Sequence, residues 1–129
     1  MIERKKFSFN NRLGSFSDAL RGFRYLVATQ HNTWLHATAT LFVCAAGVVF
    51  RIDRLEWCCL VLCFTAVWTT EALNTALELL TDLASPEFHP LAGMAKDVAA
   101  GAVLIAAVGS AIVGSIIFVP HAWTLATRN

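Results

Sequence analysis

The sequence predicts an all-α integral membrane protein, with an N-terminal amphipathic surface helix and three transmembrane helices in one domain spanning residues 1–129. Three observations point there. The chain is 57% hydrophobic over 129 residues, with a mean hydropathy of +0.59, too apolar for an ordinary soluble domain of this size. Val98–Val119 gives 22 residues without a charge, about what a helix needs to cross ~30 Å of hydrocarbon. Six of the ten basic residues (Arg4, Lys5, Lys6, Arg12, Arg21, Arg24) precede the first apolar span, the asymmetry expected of a cytoplasmic N-terminus.

Taken in order, the first element is the surface helix at about residues 12–30. Leu13, Phe16, Leu20, Phe23 and Val27 recur at spacings of three and four, while Arg12, Asp18, Arg21 and Arg24 fall mainly elsewhere around the wheel. This pattern suits a helix lying in the inner interface with its basic residues toward lipid headgroups. The alternative is a soluble-type helix packed on the bundle. Ser15 and Asp18 are spaced as its capping box. No compact apolar run with a small-residue cleavage site appears within Met1–Asn32, so no cleavable signal peptide is expected.

The first span follows at residues 34–50, uncharged throughout. A loop at 51–56 balances Arg51 and Arg54 against Asp53 and Glu56. The second span, about 55–80, loses its uncharged character after Thr70, where Glu71, Asn74 and Glu78 enter. Residues 83–95 contain Pro86, Pro90 and Gly93 and read as a cytoplasmic turn. The third span is about 98–119. Three crossings place the 51–56 loop and the C-terminus outside and the second turn inside. Trp34, Trp57 and Trp123 lie near span ends, where an amphipathic ring is stable at headgroup level. Cys44, Cys58, Cys59 and Cys63 lie in or beside apolar runs without the spacing to histidine that a zinc site requires, and read as packing residues. No nucleic-acid partner is expected.

The interruption in the second span is the informative feature. On a helix of about 100° per residue, Glu71, Asn74, Glu78 and Asp82 fall within an arc of about 80°. Ionisable groups in a membrane helix cost several kcal/mol and so face a bundle interior or an aqueous cavity. Asn74 alone could be interhelical glue, and Glu78 or Asp82 could sit at the headgroup boundary. Beyond the turn, Lys96-Asp97 precedes the last apolar run. A cation there can neutralise phosphate oxygens and carboxylates can hold Mg²⁺, although the pair alone could be a snorkelling interfacial pair. Acids, amide and cation at one end of a bundle point to phosphoryl transfer onto an amphiphile. Neither a G-x-x-x-x-G-K-[ST] run nor a kinase-type glycine loop occurs.

Glu71-Ala72-Leu73-Asn74-Thr75-Ala76-Leu77-Glu78, then Asp82, His89-Pro90-Leu91 and Ala95-Lys96-Asp97-Val98-Ala99-Ala100-Gly101-Ala102-Val103, closely resemble the bacterial diacylglycerol kinase and undecaprenol kinase family. The resemblance covers nearly the whole chain and is weakest before about Asn10 and after Pro120. It implies a homotrimer that moves phosphate from ATP, with Mg²⁺, to the hydroxyl of a lipid alcohol, undecaprenol or diacylglycerol. It further implies that active sites form between neighbouring subunits at the cytoplasmic interface. By this similarity Glu71 is the general base, Asn74 orients the site, and Glu78 holds the metal with the ATP phosphates. Lys96 contacts phosphate, Asp97 supports the nucleotide site, and Glu87 and His89 lie near the base or ribose. Ala106, Ser110 and Gly114 form a small-residue stripe that also suits close helix contact in a trimer.

Two departures accompany the resemblance. Where the family commonly carries a metal-holding glutamate before the first span, gapless matching places Gln30, which offers a carbonyl oxygen without charge. The position where the family carries a basic residue near the start of the surface helix falls at Asn11, so that cofactor-binding role passes to the adjacent Arg12. The His89-Pro90-Leu91-Ala92 turn and the Ala99–Val103 run lean slightly toward the undecaprenol kinase branch. Two readings from other classes stand beside the kinase. One is a small proton or cation conductor using Glu71 and Glu78; the other is a noncatalytic membrane scaffold.

Overall fold

A computed structural model of the protein describes residues 9–87 and 89–127, with side chains from Leu13 onward. The described residues form four helices: α1 (Phe9–Thr29), α2 (His31–Phe50), α3 (Arg54–Ala84) and α4 (Pro90–Ala126). Three of them, α2, α3 and α4, are long and apolar enough to cross a membrane. The protein is therefore a membrane protein, and its described residues build it from helices, the arrangement that satisfies backbone groups without water.

The connections are short because each is closed by local hydrogen bonds. Gln30 is the single residue between α1 and α2, extended at φ −98° and ψ 116°. Its N–H still donates to Leu26 O at 3.0 Å, and its own carbonyl accepts from Thr33 N–H at 3.2 Å. The wholly buried Thr33 completes the corner, its hydroxyl directed at the same Leu26 carbonyl. At the end of α2, Arg51 adopts the left-handed conformation (φ 53°). This lets Arg51 N–H reach Val48 O and Ile52 N–H reach Gly47 O, the paired bonds of a Schellman ending.

Helix α3 starts with a full capping box: Asp53 accepts from Glu56 N–H at 2.9 Å, and Glu56 accepts from Asp53 N–H at 2.8 Å. These two acids were read above only as counter-charges to Arg51 and Arg54. The capping box expected at Ser15 and Asp18 does not begin a helix, because α1 is already running at Phe9. Asp18 instead pairs with Arg21 at 2.6 Å on the exposed face. The turn expected over 83–95 is also shorter. Pro90 occupies the first turn of α4, where its missing N–H is no loss, and His89 caps it by accepting Leu91 N–H on Nδ1 at 3.2 Å.

Helices α3 and α4 form the principal antiparallel pair. Near the 51–53 turn, buried Ile52, Leu60 and Ile117 pack with Phe50, Trp57, Phe64, Val113 and Phe118. The Trp57 indole takes the space beside Gly47, where an added Cβ would lie 2.8 Å from the ring. The small-residue stripe assigned above to trimer contact is partly engaged inside the chain, since Ser110 reaches toward Cys63 O across α3 and α4 at 3.4 Å. Hydroxyls elsewhere bond back to their own helix: Thr38 to Trp34 O, Thr65 to Val61 O, Ser115 to Ala111 O. Such bonds let Ser and Thr sit in a lipid-facing helix without an orphaned donor. Leu35, Leu41, Phe42, Leu104, Ile105 and Ile116 are exposed on the single chain, a surface suited to hydrocarbon rather than water.

Candidate active site

The polar residues of α3 have carbonyl-bonded backbones inside a helix already fixed by its cap, so their side chains leave the axis in register. Glu71 is 1% exposed and Asn74 6% exposed. Asn74 Nδ2 donates to Glu78 Oε1 at 3.0 Å, linking the amide to the half-buried acid one turn on. Both oxygens of Glu71 and the Oδ1 of Asn74 are buried without a hydrogen-bond partner. Three acceptor atoms on one helix are thus buried with nothing donating to them. Buried polar groups are normally satisfied, and exceptions mark catalytic groups or sites of ligands and ions. Thr75, buried beside them, returns its hydroxyl to Glu71 O at 3.0 Å and adds no donor to the cluster.

Asp82 forms an ion pair with Lys96, so the ends of α3 and α4 are tied across the 85–89 turn. The other residues anticipated from sequence are more dispersed. Asp97 is exposed beside Lys96. Glu87 is exposed in the turn, where its carbonyl accepts the Ser85 hydroxyl at 2.9 Å. His89 is exposed, with Nδ1 committed to the cap of α4. Gln30 is half-buried at the α1–α2 corner. Arg12 lies on α1, its side chain outside the described residues. Among the described residues, no group of three or more His, Cys, Asp or Glu side chains gathers in the manner of a metal site.

One residue at this site was not anticipated. His36, on α2, places Nε2 3.7 Å from Glu71 Oε2, with its side chain 14% exposed. It stands alone inside the uncharged run Trp34–Phe50, where periodicity gives it no weight. The available signal was that an ionisable side chain inside a membrane span is a functional residue by default.

Comparison with known proteins matches the chain to one family. A family model for prokaryotic diacylglycerol kinases matches residues 17–118. The chain is 40% identical over 111 residues to the undecaprenol kinase of Bacillus subtilis (strain 168), covering 86% of this chain and 90% of that one. It is also 40% identical over 111 residues to a diacylglycerol kinase of Synechocystis, covering 85% of this chain and 63% of the relative. The Escherichia coli (strain K12) diacylglycerol kinase is 34% identical over 83 residues, which span 64% of this chain and 68% of that enzyme. The matched span runs from α1 to near the end of α4 and contains Glu71, Asn74, Glu78 and Lys96. The chain belongs to the prokaryotic diacylglycerol kinase family and is a membrane lipid kinase.

Proposed function

We propose that the protein transfers the terminal phosphoryl group of ATP, with Mg²⁺, to the hydroxyl of a membrane lipid alcohol, undecaprenol or diacylglycerol. It would do so as a homotrimer in the bacterial cytoplasmic membrane, with its N-terminus cytoplasmic and α1 lying as a surface helix at the inner interface. The supporting observation is the buried carboxylate of Glu71, without a hydrogen-bond partner, on the same helix as the Asn74–Glu78 pair.

Each residue takes the task that the family resemblance implies for it. Glu71 accepts the hydroxyl proton while the O–H bonding pair stays on the lipid oxygen. That oxygen forms the new bond to the terminal phosphorus as the bond to the ADP oxygen breaks. Asn74 fixes the rotamer of Glu78 through its amide and keeps its carbonyl for a donor. Lys96 neutralises phosphate oxygens, Asp97 supports the nucleotide, and Glu87, His89 and Arg12 lie along the nucleotide side.

A magnesium ion would find hard oxygen donors in Glu78 and Gln30, and Asn74 Oδ1, buried without a hydrogen-bond partner on the side chain that bonds Glu78, supports this reading. Mg²⁺ keeps waters and substrate phosphates among its ligands, so few protein oxygens would be needed. When bound, the ion would neutralise charge on the transferring phosphate. Positioning and charge neutralisation carry most of such a reaction, so a carboxylate suffices as the base.

The two lipids are separated by the same experiment that tests the reaction. The purified protein is incubated with γ-labelled ATP and Mg²⁺ against a panel containing undecaprenol and diacylglycerols. Label in one lipid phosphate is the expected result. Absence of label from every alcohol, with or without cation flux in proteoliposomes, would overturn it.

A further inference from the structure

We propose that His36 is a positioning residue for Glu71, holding the carboxylate through Oε2 so that Oε1 is presented to the lipid hydroxyl. The inference rests on the reading of Glu71 as the base. Among the described residues, no other basic side chain pairs with Glu71. The separation of 3.7 Å becomes a hydrogen bond of about 2.9 Å after a side-chain adjustment of about 1 Å. Catalytic hydrogen bonds are often long before substrate arrives and shorten in the loaded complex.

The surrounding bonds hold the two residues in register. Thr40, one turn after His36, donates its hydroxyl to His36 O at 2.7 Å. The same hydroxyl oxygen accepts from Trp68 Nε1 at 3.2 Å. Trp68 precedes Glu71 by just under one turn of α3, so this bond fixes the height of His36 against Glu71. Phe23 of α1 packs on Trp68 with ring centroids 5.5 Å apart, bringing a third helix to the same level.

A neutral imidazole has one N–H and one bare nitrogen. With the proton on Nε2 it donates to Oε2, sets the carboxylate plane and leaves Oε1 as the accepting atom. During transfer the hydroxyl proton goes to Oε1, and His36 keeps its own proton throughout. Its far side lines a groove of about 480 Å³ between α2, α3 and α4, bounded by Val43, Leu60, Phe64, Val67 and Phe118. A purely packing role for His36 would look to that apolar groove, and the test must tell the two apart.

The test compares wild type, His36→Leu, His36→Gln, Glu71→Gln and the His36→Leu/Glu71→Gln double variant. All are purified as the full chain and assayed with ATP and the lipid alcohol that accepts label. For His36→Leu, kcat is expected to fall by about 100-fold, with KM for both substrates within about twofold. His36→Gln, which keeps an N–H donor, is expected to regain most of that loss. Adding His36→Leu to Glu71→Gln should lower turnover no further, because the two act as a unit.

Wild-type kcat in His36→Leu, a loss confined to KM, or equal defects in the Leu and Gln variants would overturn the proposal. Full turnover by Glu71→Gln would instead remove the base reading, and that single variant shows it separately. Nitrogen-15 resonance of the ring needs no active variant. A proton on Nε2 is expected, and a bare Nε2 would overturn the proposal.

Discussion

Glu71 is placed where a carboxylate is unfavourable, nearly inaccessible and without a hydrogen-bond donor. Burying such a charge opposes folding by several kcal/mol, so a neutral isostere should fold at least as well. Glu71→Gln is therefore expected to lose about 10²- to 10⁴-fold in turnover while its melting temperature in detergent stays level or rises. Both quantities are measured on one preparation. Asn74→Ala removes the donor that orients Glu78, and the Mg²⁺ concentration for half-maximal activity is expected to rise by about 10- to 100-fold. A magnesium titration of activity checks this. The α3 residues were legible because acids and an amide at helical spacing interrupt an apolar run, a pattern with few structural excuses. His36 was not, because its partner lies on another helix and nothing local to its own sequence marks the pairing.

At the scale of elements, the helices were legible and their ends were not. Apolar composition located the spans, but caps depend on which polar residue stands just outside the first turn. Ser15 and Asp18 had the spacing of a box without a helix start, whereas Asp53 and Glu56 had both. Asp53→Ala is expected to lower stability by about 1 kcal/mol, read from thermal unfolding, with activity per folded molecule unchanged because Asp53 lies at the far end of α3. Pro90 was read as a breaker, yet proline is well tolerated in the first turn of a helix, so α4 begins before the charged pair Lys96-Asp97. Both residues consequently stand on a regular helix rather than in a loop.

Across the whole molecule, length decides what protrudes. Helix α3 has 31 residues and α4 has 37, so at about 1.5 Å per residue they run about 46 and 55 Å. Both exceed ~30 Å of hydrocarbon. With the capped start of α3 at one boundary, Glu71 is about 25 Å along, inside the apolar layer near its other edge, and Asp82 is beyond it. The 51–53 turn and the 85–89 turn therefore belong on opposite sides. With Cys44, Cys58, Cys59 and Cys63 replaced by Ala, single cysteines at Arg51 and Glu87 are expected to react with an impermeant maleimide from opposite faces of sealed vesicles. Labelling of both from one face would contradict three crossings. The small-residue stripe read as suiting trimer contact has a partner within its own chain at Ser110, because the same small side chains that admit a neighbouring subunit also admit a neighbouring helix.

The Lys96–Asp82 pair gives the end of α3 and α4 where nucleotide is proposed to bind a different character from an open cationic pocket. A phosphate that recruits Lys96 must trade places with a carboxylate already there, so docking becomes a swap of anions. The released Asp82 would then be a neighbouring negative charge that favours the departure of a spent, highly charged product. On the proposed reading, a single ion pair at the turn would thus moderate tight binding and speed the return of the empty enzyme.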